Sequence, residues 1–209
     1  MVDKRTVRRG YDTLADAYAA ERDDDGPEMA LLEELLDELS ASARVLDAGC
    51  GNGEPVLRAV ATEAEPVGVD VAREQLRRTA ANVPSAAVAQ GDMAALPLRD
   101  DSVDAIVAFW SLIHVPFAEH AAVAAEFARV TRPGGRALVC EGTDPWDGTN
   151  PDWLDGGAPM EWNMAGAETT REQLRDAGFT VEAARGVPDS LDDDPDETAP
   201  WTFLLARLD

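Results

Sequence analysis

The chain has 209 residues, 45% of them hydrophobic, a length that fits one domain with a full core. Forty-one acidic residues face 18 basic ones for a formal net charge of −23, and Lys4 is the one lysine. That balance leaves no basic stripe for nucleic-acid phosphates beyond Lys4–Arg9. No apolar run approaches the ~18 residues of a membrane helix. Two cysteines and two histidines are too few for a four-ligand structural zinc site, so no metal is expected. The N-terminus MVDKRTVRRG lacks the apolar stretch of a secretory signal, which points to the cytoplasm. Cys50 and Cys140 read as small buried fillers rather than a bridge.

Helical patterns cover Thr13–Ala20 and Glu28–Leu39, with Pro27 suited to the start of the second. Tyr11 and Tyr18 are seven apart and would share one helical face. The stretch VLDAGCGNGEP at Val45–Pro55 is the most informative in the chain. A short apolar run reaches Asp47, glycines follow at Gly49, Gly51 and Gly53, and a helical pattern starts at Val56. A Cβ in that turn would block positive φ and hold a ligand off the backbone. The helix N-terminus behind it offers N–H groups and a positive dipole end.

PVGVD ends a second strand at Asp70, 17 residues after Gly53. That is close to the spacing at which an acidic residue takes ribose hydroxyls. A strand-end carboxylate or an N-cap of the helix Ala72–Ala80 is the plainer reading. A third strand within Ala86–Leu98 leads to Gly91, Asp92 and Met93, and a fourth centres on Ile106 and Val107. RVTRPGGRALVC gives a helix end, a Pro-Gly-Gly turn and a fifth strand. Strands alternating with helices predict a doubly wound parallel sheet. The 26 residues Gly142–Ala167 hold Trp146, Trp153, Trp162, Met160 and Met164, and form either a lid or a cover for the sheet edge.

The dinucleotide fingerprint G-x-G-x-x-G would place its third glycine at position 54, which is Glu54. The spacing found, G-x-G-x-G led by Asp47, resembles the first motif of class I methyltransferases that use S-adenosylmethionine. Val45–Cys140 as a whole resembles the cofactor-binding core of the small-molecule families of that class. The resemblance implies a three-layer α/β sandwich on a Rossmann-like seven-stranded, mostly parallel sheet whose last strand is antiparallel. FTVEAARGV and PWTFLLARL would supply the last two strands, with 189–197 as their hairpin connection. One domain would span 1–209: N-terminal helices to 40, the cofactor core 45–140, a lid at 142–167 and a C-terminal helix with the last two strands at 168–209.

The resemblance also implies roles. Asp47, Gly49, Gly51 and Gly53 would hold the methionine part of S-adenosylmethionine, Asp70 the ribose, and Asp92 and Met93 the adenine. Tyr18 and Phe109 would flank the cofactor, or Tyr11 and Tyr18 would only pack their helix on the sheet. Tyr11, Trp110, Trp146 and Trp162 would contact the acceptor. A hydroxyl or amine acceptor must lose a proton, and His114 is the candidate base, with Glu141 second. A histidine just beyond a strand is otherwise a packing or capping residue. The product would be S-adenosylhomocysteine and the acceptor a small molecule, with neither nucleic acid nor membrane as partner, in a monomer or homodimer. The other readings are a cofactor-binding regulator or scaffold that transfers nothing, and a nicotinamide-dependent oxidoreductase.

The charge has three readings: a surface for a basic partner, disorder, or adaptation to a cytoplasm at molar salt. Strand patterns argue against disorder. Lysine depletion with spread-out acid favours high salt, as in a halophilic archaeon.

Overall fold

The computed structural model describes residues 2–21, 26–188 and 200–209. It begins with helices α1 (Lys4–Thr13), α2 (Ala15–Glu21) and α3 (Glu28–Asp37). There follow β1 (Arg44–Ala48), α4 (Val56–Glu63), β2 (Glu65–Asp70), α5 (Arg73–Asn82), β3 (Ala87–Gln90) and β4 (Val103–Ala108). Next come α6 (His120–Val130) and β5 (Thr131–Gly142), then a hairpin of β6 (Trp146–Asn150) and β7 (Met160–Met164). The chain closes with α7 (Ala167–Asp176), β8 (Phe179–Val187) and β9 (Trp201–Leu208).

Seven strands form one sheet in the order β3-β2-β1-β4-β5-β9-β8. The first five run parallel. β9, last in the chain, is antiparallel to both neighbours and lies inside the sheet, between β5 and β8. The expected sheet therefore forms, and helices cover both of its faces. This is why β1 and β4 read as near-continuous apolar runs. Successive side chains alternate between the two layers. Leu46, Ala48, Ile106 and Ala108 pack with Phe127 of α6 and Leu174 of α7. Val45, Ala105 and Val107 pack with Leu32 and Leu36 of α3 and Val60 of α4. Cys50 and Cys140 are both buried.

The N-terminus departs from the sequence pattern. In place of one helix at Thr13–Ala20 there are two, parted at Leu14. The polar run KRTVRR hides a helix whose buried positions are Val7 and Gly10. Its start was legible in Asp3, whose side chain accepts the Arg5 N–H at 2.9 Å as an N-cap. Gly10 lets α1 lie directly on the hairpin, since a Cβ there would meet the Pro159 carbonyl oxygen at 2.8 Å. Tyr11 and Tyr18 thus sit on different helices, yet their rings still meet edge to face at 5.2 Å.

The expected link at 189–197 and the acidic clusters 23–25 and 192–194 lie outside the described residues. Among the described residues no helix is long and apolar enough to cross a membrane. The strand order reverses between β1 and β4, and open α/β sheets bind ligands beyond the carboxyl ends of strands at such a point.

Candidate active site

A cleft opens at that point, with about 900 Å³ of empty space including its mouth. The loops after β1, β2, β3 and β4 form its walls, and Lys4, Tyr11 and Tyr18 of the first two helices reach over it.

The three glycines of the first loop all have positive φ, +88°, +52° and +86°, but for different reasons. A Cβ on Gly49 would lie 2.2 Å from that of Ser111, whose hydroxyl donates to the Ala48 carbonyl at 2.6 Å and ties the β1 and β4 loops together. A Cβ on Gly51 would meet nothing within 4 Å, and Gly51 borders the cleft, so its bare backbone leaves room for a ligand. Gly53 does not border the cleft. Its Cβ would come within 2.9 Å of Thr79 Cγ2, so it lets the loop lie on α5 and supports the site from behind.

Asp70 sits at the end of β2 and does two things. It borders the cleft, and its oxygens accept the N–H groups of Gly51 at 2.9 Å and Ala72 at 2.7 Å, so it also shapes the glycine loop. Burial pushes its carboxyl up to about 6, against those two hydrogen bonds, which favour the charged form. Asp92 accepts the Ala94 N–H at 3.0 Å and pairs with Lys4, whose ammonium also pairs with Glu119. Asp47, Met93, Phe109 and Trp110 complete the expected lining. Trp110 adopts a left-handed φ of +48°, strained for a bulky residue, and its ring meets Phe109 edge to face at 5.8 Å.

His114 is buried at the cleft wall with both ring nitrogens fixed. Nδ1 lies 2.8 Å from the Glu161 carbonyl oxygen, which can only accept, so Nδ1 carries the proton. Nε2 lies 2.8 Å from the Tyr11 hydroxyl, which therefore donates to it. Burial pushes the imidazole down to about 4, so it is neutral at ordinary pH. Three elements build this unit: α1, the turn after β4, and β7 of the hairpin. Sequence reasoning singled out both residues but not their contact, because 103 residues separate them. It also passed over Lys4 as a cleft residue, although a lone lysine in so acidic a chain was a usable signal.

The hairpin tryptophans lie outside the cleft lining. Trp162 packs against Trp153 at 5.6 Å and His114 at 5.9 Å, behind the histidine. Trp146 pairs with Met164 at the end of the hairpin and is 53% exposed. Glu141, the second candidate base, is also set apart from the cleft. It is fully buried, accepts the Gly142 N–H at 2.9 Å and the Thr170 hydroxyl at 3.1 Å, and so fastens the root of the hairpin to α7.

The open side of Gly51, a buried carboxylate at Asp47 and the strand-end carboxylates Asp70 and Asp92 fit S-adenosylmethionine. They offer backbone room and acceptors for an ammonium, a ribose diol and an adenine amine. The comparisons agree. A family described as "Methyltransferase domain" matches residues 45–135. The 27-O-demethylrifamycin SV methyltransferase of Amycolatopsis mediterranei is 31% identical, with 97% of this chain and 82% of that protein covered. A demethylmenaquinone methyltransferase of Mycolicibacterium vanbaalenii is 38% identical over 52% of this chain and 46% of its own. The chain spans under half of other curated relatives too, 36% of a Streptomyces fradiae protein and 42% of a Streptomyces halstedii methyltransferase. Among solved structures, a Mesorhizobium loti methyltransferase matches with a TM-score of 0.68 at 22% identity, covering 86% of this chain and 97% of that one. SpnF, a 4+2 cyclase, matches with a TM-score of 0.74 at 20% identity, covering 99% and 96%. These two show the fold alone. The chain belongs to the class I methyltransferases whose cofactor is S-adenosylmethionine.

Proposed function

We propose that the protein transfers a methyl group from S-adenosylmethionine to a small-molecule acceptor held against the aromatic side of the cleft. The observation that carries this reading is the His114–Tyr11 unit, a neutral base with a hydroxyl on it, set in the wall of a cleft suited to the cofactor. S-adenosylmethionine supplies a methyl already activated as a sulfonium. The protein's own task is to align the acceptor, exclude water and take up a proton.

In this assignment Asp47, Gly49 and Gly51 hold the methionine part, and Gly53 supports their loop. Asp70 takes the ribose, Asp92 and Met93 the adenine, and Tyr18 and Phe109 flank the cofactor. Tyr11 and Trp110 face the acceptor, and His114 is the base. Trp162 backs His114, and the hairpin serves as a lid fastened at Glu141. Two relatives are named for small molecules, a rifamycin and demethylmenaquinone. The net charge of −23 disfavours nucleic acid. We further infer a cytoplasm at molar salt, as in a halophile. Supporting this, Glu28, Asp47 and Glu141 are the only acids among the described residues closed to solvent, Asp70 in the cleft is partly buried, and most of the other described acids are exposed.

The test is incubation with methyl-labelled S-adenosylmethionine and a cell extract split into small-molecule, nucleic-acid and protein fractions. Label should enter the small-molecule fraction. Label in nucleic acid or protein would overturn the acceptor class. Tight cofactor binding with no label anywhere would favour the regulator or scaffold.

A further inference from the structure

We propose that the acceptor is an uncharged phenol whose hydroxyl hydrogen-bonds to the Tyr11 oxygen, making Tyr11 the catalytic residue that touches the acceptor. The inference rests on the methyltransferase reading and narrows it. Three observations carry it.

The first is the direction of the hydrogen bonds. The Glu161 carbonyl fixes the His114 proton on Nδ1, so the Tyr11 proton is committed to Nε2. A hydroxyl in that state can only accept further bonds. The acceptor must then bring a donor to it, which a hydroxyl does and an ether or a carboxylate does not.

The second is the charge around the cleft. Among the described residues that line it, Lys4 is the only cation, and it is paired with Asp92 and Glu119. Asp47, Asp70, Asp92 and Glu54 line the same space. An anionic acceptor would find carboxylates and no guanidinium, at the cost of its own hydration.

The third is the wall on the acceptor side. Trp110 lines the same cleft as Tyr11, with the Phe109 ring edge to face against it, and planar rings pack on such walls. His114 is a weak base, held low by burial. It takes a proton only from a group that becomes strongly acidic as the methyl is added. A phenol, with a pKa of about 10, meets that need better than an alkanol.

The step balances. Attack by the phenol oxygen forms the oxygen–carbon bond and breaks the carbon–sulfur bond, whose electron pair stays on sulfur. The phenol proton passes to the Tyr11 oxygen as the Tyr11 proton passes to His114 Nε2. The positive charge lost at sulfur reappears on the imidazolium, whose Nδ1–H keeps its bond to Glu161.

The experiment is calorimetric titration of the protein saturated with S-adenosylhomocysteine, using three probes of one shape. Para-ethylphenol has the donor and no charge, para-ethylanisole lacks the donor, and para-hydroxyphenylacetate adds a carboxylate. The phenol should bind about tenfold more tightly than either of the others, and Tyr11→Phe should erase its advantage over the ether. With labelled S-adenosylmethionine the product should be the methyl ether, formed about tenfold more slowly by Tyr11→Phe. Equal binding of the ether or the carboxylate, unchanged selectivity in Tyr11→Phe, or no binding of any probe would each overturn the proposal and leave the cofactor reading standing. Failure of S-adenosylhomocysteine itself to bind would overturn both.

Discussion

Glu141 Oε2 lies 3.8 Å from His120 Nδ1, and neither side chain reaches solvent. His120 donates through Nε2 to the Val115 carbonyl at 2.9 Å, which leaves Nδ1 as an acceptor without a hydrogen-bond partner. Burial pushes Glu141 up to about 7, against hydrogen bonds from Gly142, Thr170 and Ala165, and burial lowers His120. A carboxyl raised on folding binds more protons in the native state than in the unfolded one. Its contribution is therefore most favourable below the unfolded value of 4.5 and is lost as pH rises through about 7. Glu141→Gln removes that dependence. Urea unfolding at mildly acid and mildly alkaline pH should show the variant gaining on the wild type by about 2–3 kcal/mol at the alkaline end. A gap that stays constant with pH would contradict the assignment.

Asp70 should matter for the cofactor more than for the fold. Asp70→Ala loses the acceptor proposed for the ribose and the tie to the Gly51 N–H. Affinity for S-adenosylhomocysteine should fall by about 1–3 kcal/mol in calorimetry. Since the carboxyl titrates near 6, wild-type affinity should also weaken as pH falls through that value, and the variant should not follow it. Unchanged affinity in Asp70→Ala would remove the residue from the site.

Gly51 and Gly53 should respond in opposite ways to a methyl group. At Gly53 the added carbon collides with Thr79, so Gly53→Ala should cost stability, on the order of 2 kcal/mol or more by thermal or urea unfolding. At Gly51 it meets only the cleft. Gly51→Ala should pay about 1 kcal/mol for its left-handed φ and lose most cofactor affinity. Equal losses of affinity and stability in the two variants would show that both glycines play one role.

The alternation of Val45, Leu46, Ile106 and Val107 between two layers, and the turn at Gly49–Gly53, are local periodicities and steric needs that a single chain displays. The antiparallel β9 and the roles given to the carboxylates near the ends of β1, β2 and β3 followed from the resemblance to a family. What stayed hidden was set by tertiary contact. Helix α1 buries Val7 and Gly10 because the hairpin lies against them. The pairing of Tyr11 with His114 spans 103 residues. Trp146 and Trp162 carry the residue types of an acceptor pocket, but the hairpin sets them on one face with their rings 6.3 Å apart, Trp162 behind the histidine and Trp146 at the solvent edge.

Salt should govern stability. The Debye length falls from about 10 Å at 0.1 M salt to about 3 Å at 1 M, so the repulsion of a surface bearing a net −23 is screened in molar KCl. The melting temperature should rise between those two conditions. An unchanged melting temperature would remove the argument for a high-salt cytoplasm.

The most direct test of the central claim is calorimetric titration in molar KCl with S-adenosylmethionine, S-adenosylhomocysteine and NADH side by side. The account predicts binding of both adenosyl ligands at micromolar concentration and none of NADH. Binding of NADH alone would contradict the reading of the glycine loop and, with it, the functional assignment.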